Sequence, residues 1–330
     1  MTRTKTVMLA AIKVAITAGA IYLLLHRVDI QQVLTFRVVS VAALVSTLAA
    51  AMLLVFIQAV RWYLIANAVG IPIRVSKAIV AVWFGHFLNN LLPTSTAGDL
   101  VRNFTLRYEG GQQGQWLAIF VAEKFAAMLT ALIIASWSAA TNALPGMPWE
   151  VKFLVAAVLV AMLVGYASLA IVGKLLSRHL SPRLRIYLSE IVSAIGTLVA
   201  TPLGRYALVC SAIINLGMAM IFFMASIVVG VRLDIGTCLF VVPVFSVIAS
   251  LPISYGGWGI RELSGVHLLG FVGIASDAAF AVTAVYGIVN LLSCLPGLFA
   301  GRIFVRSAKV QRSARNAERA LHTDDASVGT

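Results

Sequence analysis

Apolar residues run along this chain in long unbroken stretches, and polar residues collect in the gaps between them. An α-helix needs about 20 mostly apolar residues to cross a hydrocarbon core, whereas a membrane β-strand alternates apolar and polar positions. Continuous runs therefore predict helices, over 7–25, 38–60, 115–143, 151–173, 206–231 and 277–301. Two further apolar pieces, 78–92 and 235–251, are shorter and stop at Pro93 and Pro252. Segment 94–111, after the first, is too polar to span. After the second, Gly256-Gly257-Trp258-Gly259 breaks the chain and 260–275 resumes it. The expected fold is all-α: a polytopic membrane bundle of six full spans with two broken, re-entrant helical hairpins.

Composition sharpens this picture. The chain has 330 residues, 61% hydrophobic and 11% charged, which excludes a soluble domain of any size. The formal charge of +13 reads as basic cytoplasmic loops, and no nucleic-acid partner is expected. With the N-terminus inside and both short pieces re-entrant, only Arg27, Arg37, Lys152 and Arg232 fall outside. Lys124 and Arg261 lie at membrane depth, and every other Lys and Arg is cytoplasmic. The expected location is thus the inner (cytoplasmic) membrane, multi-pass, with both termini in the cytoplasm. Arg3 and Lys5 precede the first run as in a signal peptide, but no small-x-small cleavage site follows, so the run reads as a retained helix. Segment 174–204, with Leu184, Ile186 and Tyr187 among Arg183 and Arg185, fits either a helix lying on the membrane surface or a solvated connector. Residues 306–330 form a basic tail, expected to be disordered.

The two breaks resemble each other. Residues 93–102 and 252–261 both fit P-x-S-x-x-G-x-x-x-R, and each sits between a short apolar piece and a full helix. Two repeat units, about 38–143 and 205–301, follow within a transmembrane domain of 1–305. The topology makes them opposite in orientation, as in inverted-repeat carriers with interrupted helices. A break at membrane depth leaves backbone polar groups unpaired unless protein or a wet cavity receives them. Glycine permits the turn, and a helix N-terminus attracts anions. Arg102 and Arg261 add full charge and planar, bidentate geometry. The candidate substrate-binding residues are therefore Arg102, Arg261, Ser95, Gly98, Ser254, Gly256, Gly257, Gly259, Asn90, Glu123 and Glu262, facing the anionic head group of a membrane lipid.

Other polar residues leave alternatives open. Glu123 pairs with Arg102 or Arg261, or carries a proton; otherwise Lys124 snorkels and Glu123 makes a local pair. Glu262 is read as a structural partner of Arg261, and Asp99 as a cap of the helix leading to Arg102. His86, Asn89 and Asn90 share a helix face, and either line a cavity or bond between helices. Asn215 and Asn290 are read as packing residues. Cys210, Cys238 and Cys294 are read as buried thiols; no metal site or cofactor is expected, because no His/Cys/Asp/Glu set converges.

Arg61-Trp62, the run from Asn89-Asn90 to Leu100-Val101-Arg102, Glu123-Lys124, and Pro252 to Glu262 together resemble the lysylphosphatidylglycerol synthase transmembrane region. This is the flippase-like part of multiple-peptide-resistance-factor proteins, and the likeness spans nearly all of 1–305. The family often has a glycine pair where Ala97-Gly98 stands, and commonly Arg at the place of Lys124. The resemblance implies a multi-helix region linked to moving lipids between leaflets. Lysyl transfer in that family belongs to a separate soluble domain, for which the short tail leaves no room, so an enzyme is not expected. The competing expectations are a membrane partner of a lipid or envelope biosynthetic enzyme, a homo-oligomer, and an enzyme acting on a lipid phosphate. The last would need a base beside Ser95 or Ser254, and none is placed there.

Overall fold

In a computed structural model, the described residues are 40–92, 96–106, 114–141, 144, 146–175, 181–250 and 259–303, with isolated positions between 18 and 28. The expected first helix, 7–25, and the tail 306–330 lie outside the described residues, apart from those isolated positions. The helices in chain order are α1 (Val41–Ala68), α2 (Val75–Leu91), α3 (Ala97–Phe104), α4 (Gln115–Ala140) and α5 (Trp149–Leu175). They continue with α6 (Pro182–Ala200), α7 (Pro202–Val229), α8 (Ile235–Ser250), α9 (Ile260–Phe271) and α10 (Ser276–Ser293). No strand occurs among the described residues. Among the described residues, five helical stretches are long and apolar enough to cross a membrane: Val41–Ala68, Gln115–Ala140, Trp149–Leu169, Pro202–Val229 and Ser276–Ile303. They coincide with five of the six expected spans, so the protein is a multi-pass membrane helical bundle.

One boundary differs from expectation. The first of these helices does not end near residue 60 but runs to Ala68, which puts Arg61 and Trp62 inside it and buries both. A charge usually marks a helix end at the interface, yet Arg61 is retained at depth because a carboxylate from α4 receives it, as described below.

The two units repeat element by element. α1, α2, α3 and α4 correspond to α7, α8, α9 and α10: long, short, short, long. α1 and α7 end alike. Gly70 (φ 93°) donates to Asn67 O at 3.1 Å and Ile71 to Ala66 O at 2.9 Å. Gly230 (φ 80°) donates to Ile227 O at 3.1 Å and Val231 to Ser226 O at 2.9 Å. Both are left-handed glycine caps that satisfy the last carbonyls of a helix. The next helices, α2 and α8, begin at Val75 and Ile235, the same distance past each glycine.

Contacts follow the same correspondence. α1 and α7 form the largest interface, α4 packs on α7 and α8, and α10 packs on α1. α10 also reaches α2, where Trp83 Nε1 donates to Ser293 O at 3.3 Å. Two apolar cores result, and each draws residues from both units. The first surrounds Trp62 with residues of α1, α2, α4 and α6; the second surrounds Phe222, Phe245 and Tyr286, whose rings meet at 5.5–5.7 Å. α5 stands at the edge, with Phe153, Leu154, Val160, Leu163 and Val164 exposed as a lipid-facing surface.

Segment 174–204 contains α6, which Ser181 caps and Pro182 opens. Its second half buries Ala194, Ile195 and Leu198 in the first core, while Leu184 and Ile186 stay exposed. Over its described residues the segment is thus a helix that packs on the bundle through its second half.

Candidate functional site

The first hairpin is held by a close backbone approach. In α2 and α3, Gly85 and Gly98 face each other, and a Cβ on Gly98 would overlap the Gly85 carbonyl oxygen. Gly98 is absent from the positive-φ glycines, so its value lies in proximity and not in a turn. The α3 N-terminus is capped from across the hairpin: Gly98 N–H donates to Asn89 Oδ1 at 2.7 Å and Asp99 N–H to the same oxygen at 3.3 Å. Asp99 was expected to be the cap. Its carboxylate instead turns to side chains, because Asn89 already receives the free N–H groups.

Those side chains form a buried charge network. Glu123 on α4 accepts from Arg61 Nη2 at 2.8 Å through Oε1 and from Arg102 Nη2 at 2.6 Å through Oε2. Asp99 faces Arg102 at 3.3 Å through Oδ1 and accepts from Lys124 Nζ at 2.5 Å through Oδ2. Arg102 also stacks over Trp62, 5.0 Å from the ring centroid, and Trp62 Nε1 donates to Asn103 Oδ1 at 2.9 Å. Glu123 thus pairs with Arg102, as one reading expected, and with Arg61, which sequence reasoning had not placed in the site. A charge on an otherwise apolar helix was the available signal for Arg61.

The second hairpin has its own, smaller version. Gly259 (φ 79°) caps α9, donating to Glu262 Oε2 at 2.7 Å. Glu262 Oε1 accepts from Arg261 Nε at 3.0 Å and also from Arg261 Nη2. Glu262 is therefore both helix cap and partner of Arg261, whose guanidinium lies 5.9 Å from the Tyr286 ring centroid. Gly287 makes room for it, since a Cβ there would overlap Arg261 Nη2.

Between the hairpins lies a cavity of about 200 Å³. Its polar lining is His86, Asn89, Asn90 and Thr96 from the first hairpin, Lys124 from α4, and Ser246, Ser250, Arg261, Tyr286 and Asn290 from the second unit. The apolar lining is Met218, Phe245 and Ala249. Thr96 and Arg261, which flank the two breaks, thus meet on one cavity. A second cavity of about 200 Å³ shares Lys124, Met218, Ser246 and Ser250 with it and continues between α4 and α7.

The expected site residues fall into distinct places. Arg261 and Asn90 line the first cavity, while Arg102, Glu123, Gly98, Gly259 and Glu262 support it from outside the lining set. Ser95, Ser254, Gly256 and Gly257 lie outside the described residues. Lys124, His86, Asn89 and Asn290 belong to the lining although they were not chosen as site residues. Asn215 is packing glue as expected, donating to Thr130 Oγ1 at 2.9 Å, and it also lines the second cavity. Cys238 and Cys294 are buried and Cys210 partly so. No cluster of metal-ligating side chains occurs among the described residues.

The network and the Arg261–Glu262 pair together set four cationic side chains against three carboxylates. Among the described residues these pairs leave one positive charge in excess, in a region where charge is expensive and an anion is a natural complement. A family model described as "Lysylphosphatidylglycerol synthase TM region" matches residues 10–297. No curated protein matches the chain.

Proposed function

Since the chain belongs to the lysylphosphatidylglycerol synthase TM region family, we propose that it is a carrier moving an anionic or modified amphiphilic lipid between leaflets. One observation carries the reading: both hairpins line a single cavity, and the cations Lys124 and Arg261 sit in its wall. The anionic head group enters that cavity and is held by Lys124, Arg261 and the surrounding amides and hydroxyls, while its chains remain in lipid. The two units run in opposite directions through the membrane, so rocking one against the other exposes the cavity to each leaflet in turn. The protein acts by binding and movement, without catalysis and without a cofactor. It resides in the inner membrane with both termini in the cytoplasm, consistent with the placement of its Lys and Arg.

The test is reconstitution into liposomes with head-group-labelled lipids, following loss of label from one leaflet. Wild type accelerates transfer of at least one anionic lipid over protein-free liposomes, and Arg261→Ala abolishes the acceleration at normal protein content. No acceleration for any anionic lipid overturns the proposal.

A further inference from the structure

Two anchors fix the direction of α6. At its C-terminal end it meets α7 across one extended residue, Thr201 (φ −106°, ψ 150°), whose hydroxyl caps α7 by accepting from Gly204 N–H at 3.0 Å. Gly204 lets the first turn of α7 press on the last turn of α6, since a Cβ there would overlap the Thr197 carbonyl oxygen. Nearer its N-terminal end, the Tyr187 ring lies against Gly114, which immediately precedes α4; a Cβ there would meet Tyr187 Cδ1 at 3.1 Å.

Both anchors lie at the same membrane boundary. α4 and α7 are long and apolar enough to span, and they run side by side in one direction. Asn215 bonds Thr130 midway along the pair, and Ser138, near the end of α4, donates to Gly236 O, just past the end of α7, at 2.8 Å. Their starts are therefore level, and α6, held at both starts, lies along that boundary. Arg205 and Tyr206, exposed on the first turn of α7, are residue types that settle at head-group level.

The first turn of α6 is left uncovered. Leu184 continues, at helical spacing, the stripe of Leu188, Ile191, Ile195 and Leu198, of which Ile195 and Leu198 are buried in the first core. Leu184 itself is 48% exposed. Arg183 and Arg185, both exposed, flank it one residue to either side, and Ile186 lies on the far face. The first turn holds no acid, and Glu190, the one acid of α6, lies farther along, by Gly114. Two bases at a helix N-terminus oppose the helix dipole, so they weaken the helix on its own. An external anion complements the guanidinium groups and the dipole together.

We infer that the first turn of α6 is a second lipid-binding surface, apart from the cavities and selective for anionic phospholipid. Arg183 and Arg185 meet the phosphates, and Leu184 enters among the first acyl carbons. In the proposed orientation the leaflet concerned is the cytoplasmic one, where anionic lipid collects. None of these three residues lines either cavity, so the surface is independent of the carrier reading.

The experiment uses the full chain with its native cysteines replaced by serine and a bimane fluorophore on Leu184→Cys, in nanodiscs of phosphatidylcholine. A minority of phosphatidylglycerol or of phosphatidylcholine, spin-labelled high on the acyl chain, is added at equal mole fraction, and quenching is compared. Phosphatidylglycerol is expected to quench more strongly. Arg183→Gln and Arg185→Gln each reduce that preference about fivefold, the factor for one basic residue at an anionic surface. Arg183→Lys and Arg185→Lys keep it, since charge and not planar geometry is read, and raised salt diminishes it. The same label on Val160→Cys, on the exposed face of α5, shows no preference.

Equal quenching by the two lipids at position 184, or a preference that survives replacement of both arginines by Gln, overturns the inference. So does a label at 184 that neither lipid quenches, the result for a face turned to water and a soluble protein partner. Inorganic phosphate at matched ionic strength leaves the preference intact; its abolition by phosphate marks a site for the free ion and equally overturns the inference.

Discussion

Glu123 holds two guanidinium groups that would otherwise be buried with one fewer counter-charge. It is 2% exposed and bonds Arg61 and Arg102 through separate oxygens. Removing one partner of a buried charge set costs about 3–5 kcal/mol, because the remaining charges stay desolvated. Glu123→Ala should therefore lower thermal stability by that order, read as the melting temperature of the purified protein, whereas Lys124→Gln should change it far less. Asp99→Asn should have the opposite sense at the site. It frees Lys124 from its internal partner and tightens binding of an anionic lipid while slowing its release, measured as a lower Kd with a lower transfer rate. Arg261→Lys should impair transfer, because a point charge keeps neither the two bonds to Glu262 nor the planar face against Tyr286. At this scale the sequence exposed the charged residues but not their sorting. Arg102 and Arg261 occupy matching motif positions, yet one is sealed into a network and the other lines the cavity. Glu123 and Trp62, which reach Arg102 from neighbouring helices and are remote in sequence, decide that difference, whereas Arg261 pairs with the adjacent Glu262.

The hairpins depend on backbone proximity and caps more than on helix propensity. α2 has 17 residues, about 25 Å of helix, and α3 only 8, too short to persist without support. Gly98→Ala places a methyl on the Gly85 carbonyl and should separate α2 from α3, reducing both stability and transfer. Gly85→Ala meets Gly98 O at 3.2 Å and should be the milder change. Asn89→Ala removes the α3 cap and should destabilise by roughly 0.5–2 kcal/mol, measured by thermal melting. The long helices were legible because each is apolar all round, which the hydrophobic pattern reports directly. The end of α1 was not, because Arg61 and Trp62 look like a membrane boundary until Glu123 and Asn103 are seen to receive them. Asn89 was placed on the right face but not given its task, since a cap supplied from another helix leaves no local sequence signature.

At the scale of the whole molecule, the matching glycine caps after α1 and α7, the matching hairpins and the reciprocal packing of α4 and α10 describe one unit used twice. The ten-residue motif suggested such a repeat in the sequence, because each copy carries the same Pro, Ser, Gly and Arg spacing; residues 93–95 and 252–258 lie outside the described residues. The shared cavity could not be read from it, since the lining comes from six helices and the motif touches only two. The inverted orientation is open to a direct check. In a chain without its native cysteines, Arg74→Cys and Arg232→Cys, both exposed beyond a glycine cap, should react with a membrane-impermeant thiol reagent from opposite sides. The central claim is that the two hairpins jointly receive a lipid's phosphate. The most direct measurement is an electron cryo-microscopy map of the protein with an anionic phospholipid. The account predicts head-group density in the cavity between residues 86–96 and 246–261, touching Lys124 and Arg261. Phospholipid density confined to the outer, lipid-facing surfaces, with the cavity left to water, would contradict it.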